Sequence, residues 1–305
     1  MNLRPYLCFA AVVLLWASTP VLVDRLYEEK IGVLFLLASA STFAAATLTA
    51  FATVAGRLRQ VRSYLLRDWA QIVGMGLLGI VGYTSLYYLA LRYAPPDEAN
   101  VVNYLWPVFL VIFSGPILGE RHDGWTWLGI GMSFVGAAGI LTGWPLRTPT
   151  VAHLAGYGLA ATGAVCWALF SVLGKRLPYD RLVAMALYCL VGAVVFCTAL
   201  FLHGVGPWPS ASAWIRLAFL GAAVNGIAYF LWFEALAGGP TAVFGNLVFA
   251  TPFLALIYLW LFGGTALRPG VWLSLALIAV GSLIALNRVA AKGKPSLARP
   301  QSCKD

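Results

Sequence analysis

The residues best placed to do chemistry lie in the stretch NVVNYLWP, Asn100 to Pro107, within an otherwise apolar run from about Ala99 to Leu118. On a helix, Asn100, Asn103, Tyr104 and Pro107 fall at i, i+3, i+4 and i+7, so two amides, a phenol and a proline share one face. Pro107 has no N–H and its ring crowds the carbonyl of Asn103, which predicts a kink and a spare backbone acceptor beside that polar stripe. Groups of this kind hold a solute by hydrogen bonding. Lipid tolerates such a backbone defect only beside a cavity or buried protein, so the stretch is expected to line a solute pathway.

The elements that must position these residues follow from composition. With 61% hydrophobic residues, 10% charged and a mean hydropathy of +0.84, the solvent of this chain is mostly lipid. Apolar runs bounded by charges or Pro/Gly turns predict ten spans, at roughly 6–23, 31–54, 70–91, 98–118, 125–143, 153–174, 182–202, 214–235, 241–262 and 269–287. Each is near the ~20 residues needed to cross the hydrocarbon core. The remaining residues make short loops and one tail, with no room for an extramembrane catalytic domain.

Lys and Arg set the orientation. With the N-terminus in the cytoplasm, 14 of the 20 lie on that side, including Arg57, Arg59, Arg62, Arg67, Lys175, Arg176, Arg181 and the basic end. The positive-inside rule therefore places both termini in the cytoplasm, as an even number of spans requires. The net charge of +9 reflects this asymmetry and contact with anionic headgroups, not nucleic-acid binding. The first apolar run is long and Trp16-Ala17-Ser18-Thr19-Pro20 is a poor cleavage site, so it reads as a retained helix. Five cysteines without a Cys-x-x-Cys pair indicate neither a disulfide framework nor a metal site. His122, His153 and His203 lie singly near span ends, so no metal or cofactor is expected.

The two halves of the chain resemble each other. At an offset of 151, Trp16-Ala17 matches Trp167-Ala168; at 142, Leu78-Gly79 matches Leu220-Gly221, Tyr83 meets Asn225 and Tyr87 meets Tyr229; at 145, Pro107 matches Pro252 and Gly136 matches Gly281. Five spans per copy is an odd number, so the second copy enters the membrane from the opposite side. The expected fold is thus an all-α polytopic membrane protein, with ten transmembrane helices as two inverted five-helix repeats around a central cavity. The first repeat would occupy residues 1–146, the second 147–287, and a basic cytoplasmic tail 288–305. Interrupted helices at equivalent positions of inverted repeats point to a midplane site, and spans four and nine carry the matching prolines. The expected substrate-binding set is therefore Asn100, Asn103, Tyr104, Trp106, Pro107, Tyr83, Tyr87, Trp16, Trp167, Asn225, Tyr229, Asn246, Phe249 and Pro252. Helix packing, interfacial belts and interhelical hydrogen bonds are the competing roles for these types. The Gly129, Ser133, Gly136 series and the Gly139 and Gly143 pair read as close packing, which makes spans five and ten scaffold.

Ionisable residues are missing from the middle of every span, and Glu234 lies near the predicted cytoplasmic end of span eight. An intramembrane enzyme would need a buried nucleophile and base or paired carboxylates, and none is visible. A phosphorylated substrate would require buried Arg or Lys. A zwitterion or modest amphiphile fits better, held by amides, hydroxyls and kinked-helix carbonyls, with aromatic walls for an apolar group or an ammonium.

Ten spans in two halves, with WAS at Trp16 to Ser18 and LGE at Leu118 to Glu120, resemble the drug/metabolite transporter superfamily and its EamA domain. Within it, NYLWP at Asn103 to Pro107 resembles the signature of aromatic amino acid exporters. The resemblance implies a secondary transporter of the bacterial inner membrane that exports aromatic and other neutral amino acids by alternating access. It implies a small-molecule partner and the lipid bilayer, and no nucleic acid. Hydrophobic cations or drugs are the alternative cargo. The second copy departs from the pattern, with Thr265 in place of the glutamate of LGE and Thr251-Pro252 in place of Trp-Pro.

Overall fold

The computed structural model describes residues 3–146, 150–206, 208–263 and 270–292. Nine helices among them are long and apolar enough to span a membrane: α1 (Arg4–Glu28), α2 (Val33–Val54), α3 (Leu66–Tyr93), α4 (Glu98–Leu118), α5 (Gly124–Thr142), α6 (Val151–Arg176), α7 (Arg181–His203), α8 (Ala211–Gly238) and α9 (Thr241–Phe262). The tenth expected span is helix α10 (Val271–Lys292), which continues five residues past the expected end at 287. Arg147, Thr265, Arg268 and the tail beyond Lys292 lie outside the described residues.

Local chemistry sets the helix ends. The Asp180 carboxylate accepts from the backbone N–H groups of Leu182 and Val183 at 3.0 and 3.1 Å, capping α7, and also pairs with Arg57 at 3.0 Å. Asp123 caps α5 through Thr126 N–H at 3.0 Å, and Ser210 caps α8 through Ala213 N–H at 3.1 Å. Gly119 ends α4 in the left-handed region at φ 74°, a conformation that only glycine adopts without strain. At the link between α1 and α2, Glu29 accepts from Ser210 and pairs with Arg216. The Ser210 hydrogen bond, and then Arg216, hold the Glu29 carboxyl below the usual carboxylate range.

Packing repeats across the two halves. Helix α1 lies against α8 and α9, and its counterpart α6 lies against α3 and α4. Helix α2 packs on α7, α5 packs on α10, and the contact of α2 with α8 is mirrored by that of α7 with α3. Such reciprocal pairing is what an internal two-fold produces when each copy holds an odd number of spans. Lipid supplies no hydrophobic force between helices, so close backbone approach and hydrogen bonds must join them. Accordingly a Cβ on Gly136 would meet the Ser274 carbonyl at 2.7 Å, and one on Gly129 the Gly281 carbonyl at 2.7 Å. The α5–α10 seam is therefore scaffold.

Five of the spans are interrupted within their length. Helix α1 breaks at Ser18, whose hydroxyl donates to the Leu15 carbonyl at 2.7 Å, and α4 breaks at Tyr104 and Leu105, just before Pro107. Helix α9 contains a 3-10 turn at Val248–Ala250, just before Pro252. Helices α3 and α8 widen into π-helix at Gly76–Gly82 and Leu220–Ile227, corresponding positions of the two halves. All five interrupted spans meet at the centre of the molecule, and π-turns frequently accompany functional sites.

Candidate functional site

Where these interruptions meet lies a cavity of about 220 Å³. Its wall takes Trp16, Thr19 and Pro20 from α1, and Tyr83, Thr84, Tyr87 and Tyr88 from α3. Helix α4 adds Asn100, Asn103, Tyr104 and Trp106, α6 adds Trp167, α8 adds Asn225 and Tyr229, and α9 adds Thr251. Ten of the fourteen expected residues are thus brought together. Among the described residues the wall holds no Asp, Glu, Lys, Arg or His. Thr19, Pro20, Leu36, Leu37, Tyr87, Tyr88, Asn100 and Asn103 lie on the side of their spans away from Arg4, while Trp167, Tyr229 and Val248 lie slightly to the Arg4 side of mid-span, so the cavity runs from the middle of the molecule toward the face opposite Arg4.

Aromatic rings form one end of the chamber. Trp16 meets Trp106, Trp167 and Tyr229 edge-on at centroid distances of 6.2, 5.9 and 6.1 Å. Tyr229 lies 4.8 Å and Tyr83 5.0 Å from Trp167. Edge-on and tilted contacts are the stable arrangements of ring quadrupoles, so five spans hold these rings as one box. Its polar side is built by α3 and α4: the Tyr87 hydroxyl donates to Asn100 Oδ1 at 2.6 Å, and Asn103 Nδ2 donates to the Tyr83 hydroxyl at 3.4 Å. The polar stripe of α4 is therefore oriented by the tyrosines of α3 and leaves part of its amide capacity unused.

Toward the face that carries Arg4 the chamber is closed. Trp232 packs on Trp106 at 5.5 Å with its indole N–H on the Ser171 hydroxyl at 3.0 Å, and Phe9 stacks on Phe244 at 5.0 Å. Beyond them Lys175 Nζ reaches Glu120 at 2.8 Å and the Thr241 hydroxyl at 2.8 Å, joining α4, α6 and α9. Glu234 pairs with Arg4 at 2.8 Å and Arg181 at 2.6 Å, joining α8, α1 and α7. On the opposite face Glu98 accepts from Tyr157 at 2.5 Å and faces His153 at 3.0 Å, tying the start of α4 to that of α6.

Four expected residues do not line the cavity. Asn246 is fully buried between α5 and α10, where Ser133 donates to its Oδ1 at 2.6 Å and its Nδ2 donates to the Gly281 carbonyl at 3.2 Å. Its polar groups are spent on helix packing. Phe249 is fully buried against Phe134 and Tyr104 at 6.2 and 6.3 Å. Pro107 and Pro252 are buried beside the breaks they follow. Val248, Thr251 and Ala255, at i, i+3 and i+7, form the face of α9 that reaches the chamber, in place of the face that carries Asn246 and Phe249.

Residues outside the expected set also line it. Thr84 and Tyr88 follow Tyr83 and Tyr87 by one position, and a helix face about 100° wide carries both pairs; the run YTSLYY held that signal. The Thr84 hydroxyl donates to the Ile80 carbonyl in the preceding π-turn. Thr19 and Pro20 follow the break of α1, and Pro20, which has no N–H, was the signal for it.

Comparison with known proteins bears on this arrangement. The chain is 31% identical over 235 residues to a protein of Ancylobacter novellus named aromatic amino acid exporter YddG, covering 76% of this chain and 81% of that one. It is 27% identical over 217 residues to the threonine/homoserine exporter RhtA of Escherichia coli K12, covering 68% and 66%. A solved crystal structure of 28% identity superposes with a TM-score of 0.82 over 93% of this chain and 98% of the other. Residues 3–142 and 154–287 each match the EamA-like transporter family. The match of both halves, together with nine membrane-length apolar helices among the described residues, means that the chain belongs to the EamA-like transporter family, a multi-pass membrane transporter and not an enzyme.

Proposed function

We propose that this chain is a secondary transporter that exports aromatic and other neutral amino acids across the bacterial inner membrane by alternating access. The observation that carries the reading is the chamber itself, placed where five interrupted helices of both halves meet and walled by Trp, Tyr and Asn without a fixed charge. A zwitterion brings both charges in one molecule, and amide, hydroxyl and carbonyl dipoles can meet each end, whereas an anion without a counter-charge in such a wall is strongly disfavoured. An aromatic side chain stacks edge-on against Trp16, Trp106 and Trp167. That relatives of the chain are named amino acid exporters supports the same reading. Asn100, Asn103, Tyr104, Trp106, Tyr83, Tyr87, Trp16, Trp167, Asn225 and Tyr229 would touch substrate.

The two halves, residues 1–146 and 147–287, are the inverted units that rock about the chamber, followed by the basic tail 288–305. The Lys and Arg bias supports cytoplasmic termini. In that orientation the closed face is cytoplasmic, sealed by the Glu120–Lys175–Thr241 and Arg4–Glu234–Arg181 clusters. A second cargo class, hydrophobic cations, is favoured by the ring faces of the same wall, which attract a cation.

The test is counterflow of labelled phenylalanine into liposomes holding the purified protein. Saturable uptake, reduced at least tenfold in Trp106→Ala and Trp167→Ala with normal protein recovery, is the expected result. Absence of amino acid counterflow, with uptake of lipophilic cations instead, would replace this reading by the second.

A further inference from the structure

Four buried side-chain polar atoms among the described residues have no hydrogen-bond partner in the protein, and three of them, Trp16 Nε1, Asn103 Oδ1 and Thr251 Oγ1, belong to residues that line the chamber but are sealed from it in this arrangement, so that a movement at the breaks is needed to present them. Asn103 is 6% and Thr251 5% exposed. A buried polar group left unpaired is destabilising by about 1–3 kcal/mol, so three in one wall are unlike the rest of the molecule, where the fourth, Tyr64, lies in the α2–α3 link.

Their positions share a second property. Trp16 precedes the break of α1 at Ser18, Asn103 is the last residue before the break of α4, and Thr251 is the first residue after the 3-10 turn of α9. Three interrupted helices each carry one unpaired group at the interruption. The three groups are also chemically distinct: an indole N–H only donates, an amide oxygen only accepts, and a hydroxyl does both.

We infer that Trp16, Asn103 and Thr251 form the headgroup anchor of the chamber, the indole N–H and threonine hydroxyl donating to a substrate carboxylate and the Asn103 amide oxygen accepting from its α-ammonium. This rests on the amino acid reading above and assigns the end of the substrate that each residue holds. It accounts for recognition of a zwitterion without a charged side chain. It also joins recognition to movement: chain breaks are where a helix absorbs a change of backbone angles, and a headgroup bonded at three of them stabilises whichever arrangement brings the three together.

The experiment uses the full chain in liposomes and measures KM for phenylalanine counterflow, together with inhibition by 2-phenylethylamine, which keeps the ring and ammonium but lacks the carboxylate. Thr251→Val removes the hydroxyl at nearly constant shape. It should raise the phenylalanine KM about tenfold, the loss expected for one hydrogen bond to a charged group, and leave inhibition by 2-phenylethylamine within twofold. Thr251→Ser should restore the parent KM. Asn103→Asp places a carboxylate beside the ammonium and should strengthen 2-phenylethylamine inhibition about tenfold relative to phenylalanine. Equal weakening of both ligands by Thr251→Val, or no weakening of either, overturns the anchor while the amino acid reading stands. A parent protein that carries no amino acid overturns both.

Discussion

Asn246 separates a packing role from a binding role. Its side chain accepts from Ser133 at 2.6 Å and from Ser282 at 3.4 Å and donates to the Gly281 carbonyl at 3.2 Å, linking α9 to α5 and α10 from a fully buried position. Interhelical hydrogen bonds in membranes average about 0.6 kcal/mol and reach about 1.7. Asn246→Ala, which removes three, should therefore destabilise the protein by ~2 kcal/mol. For a chain of this size that lowers an apparent melting midpoint by several degrees. The assay is thermal unfolding in detergent at a fixed scan rate, because such proteins unfold irreversibly and the midpoint is operational. Phenylalanine counterflow at a permissive temperature should keep its KM within twofold, since Asn246 does not line the chamber. An unchanged midpoint with a tenfold rise in KM would refute the reasoning and return Asn246 to the substrate site.

Gly136→Ala should lower the melting midpoint in the same assay, by the ~1–3 kcal/mol typical of overpacking, because the new Cβ would lie 2.7 Å from the Ser274 carbonyl and 2.9 Å from Ile278. Asp180→Ala removes the α7 cap and the Arg57 partner and should cost about 1–2 kcal/mol, whereas Asp180→Asn, which keeps the cap, should lose less than ~1 kcal/mol. Glu29 titrates below its ordinary value, so its clasp on Ser210 and Arg216 is fully present above the unfolded value of about 4.3 and is lost as pH falls through the lowered folded value. Hydrogen exchange at residues 211–214, corrected for intrinsic rates, should show constant protection from pH 7 to 5 and a loss only below about pH 4. A loss between pH 7 and 6 would exclude Glu29 as the cause.

Hydropathy alone located the spans, because each must bury about 20 apolar residues whatever its neighbours do, and α2, α5 and α7 begin and end within two residues of the sequence expectation. The repeat was legible for a related reason. Pro107 and Pro252, Leu78-Gly79 and Leu220-Gly221, and Gly136 and Gly281 are backbone and packing constraints that both copies retain. Helix periodicity also placed Asn100, Asn103, Tyr83 and Tyr87 on facing stripes, and they meet as hydrogen-bonded pairs.

What periodicity could not supply was which face of a helix turns to the chamber. Asn246, Phe249 and Phe253 share one face of α9 at i, i+3 and i+7, and Val248, Thr251 and Ala255 share another at the same spacing; packing turns the second to the chamber and leaves Asn246 against α5 and α10. The break at Ser18 is local in origin: Pro20 has no N–H and its ring crowds the carbonyl of Trp16. Sequence by itself determined how many times the chain meets lipid and which residue types lie at mid-membrane, since those follow from local composition. Only the tertiary structure decided which of the polar groups found partners and which did not, because pairing depends on how separate helices pack, from 13 residues apart for Tyr87 and Asn100 to 113 for Ser133 and Asn246.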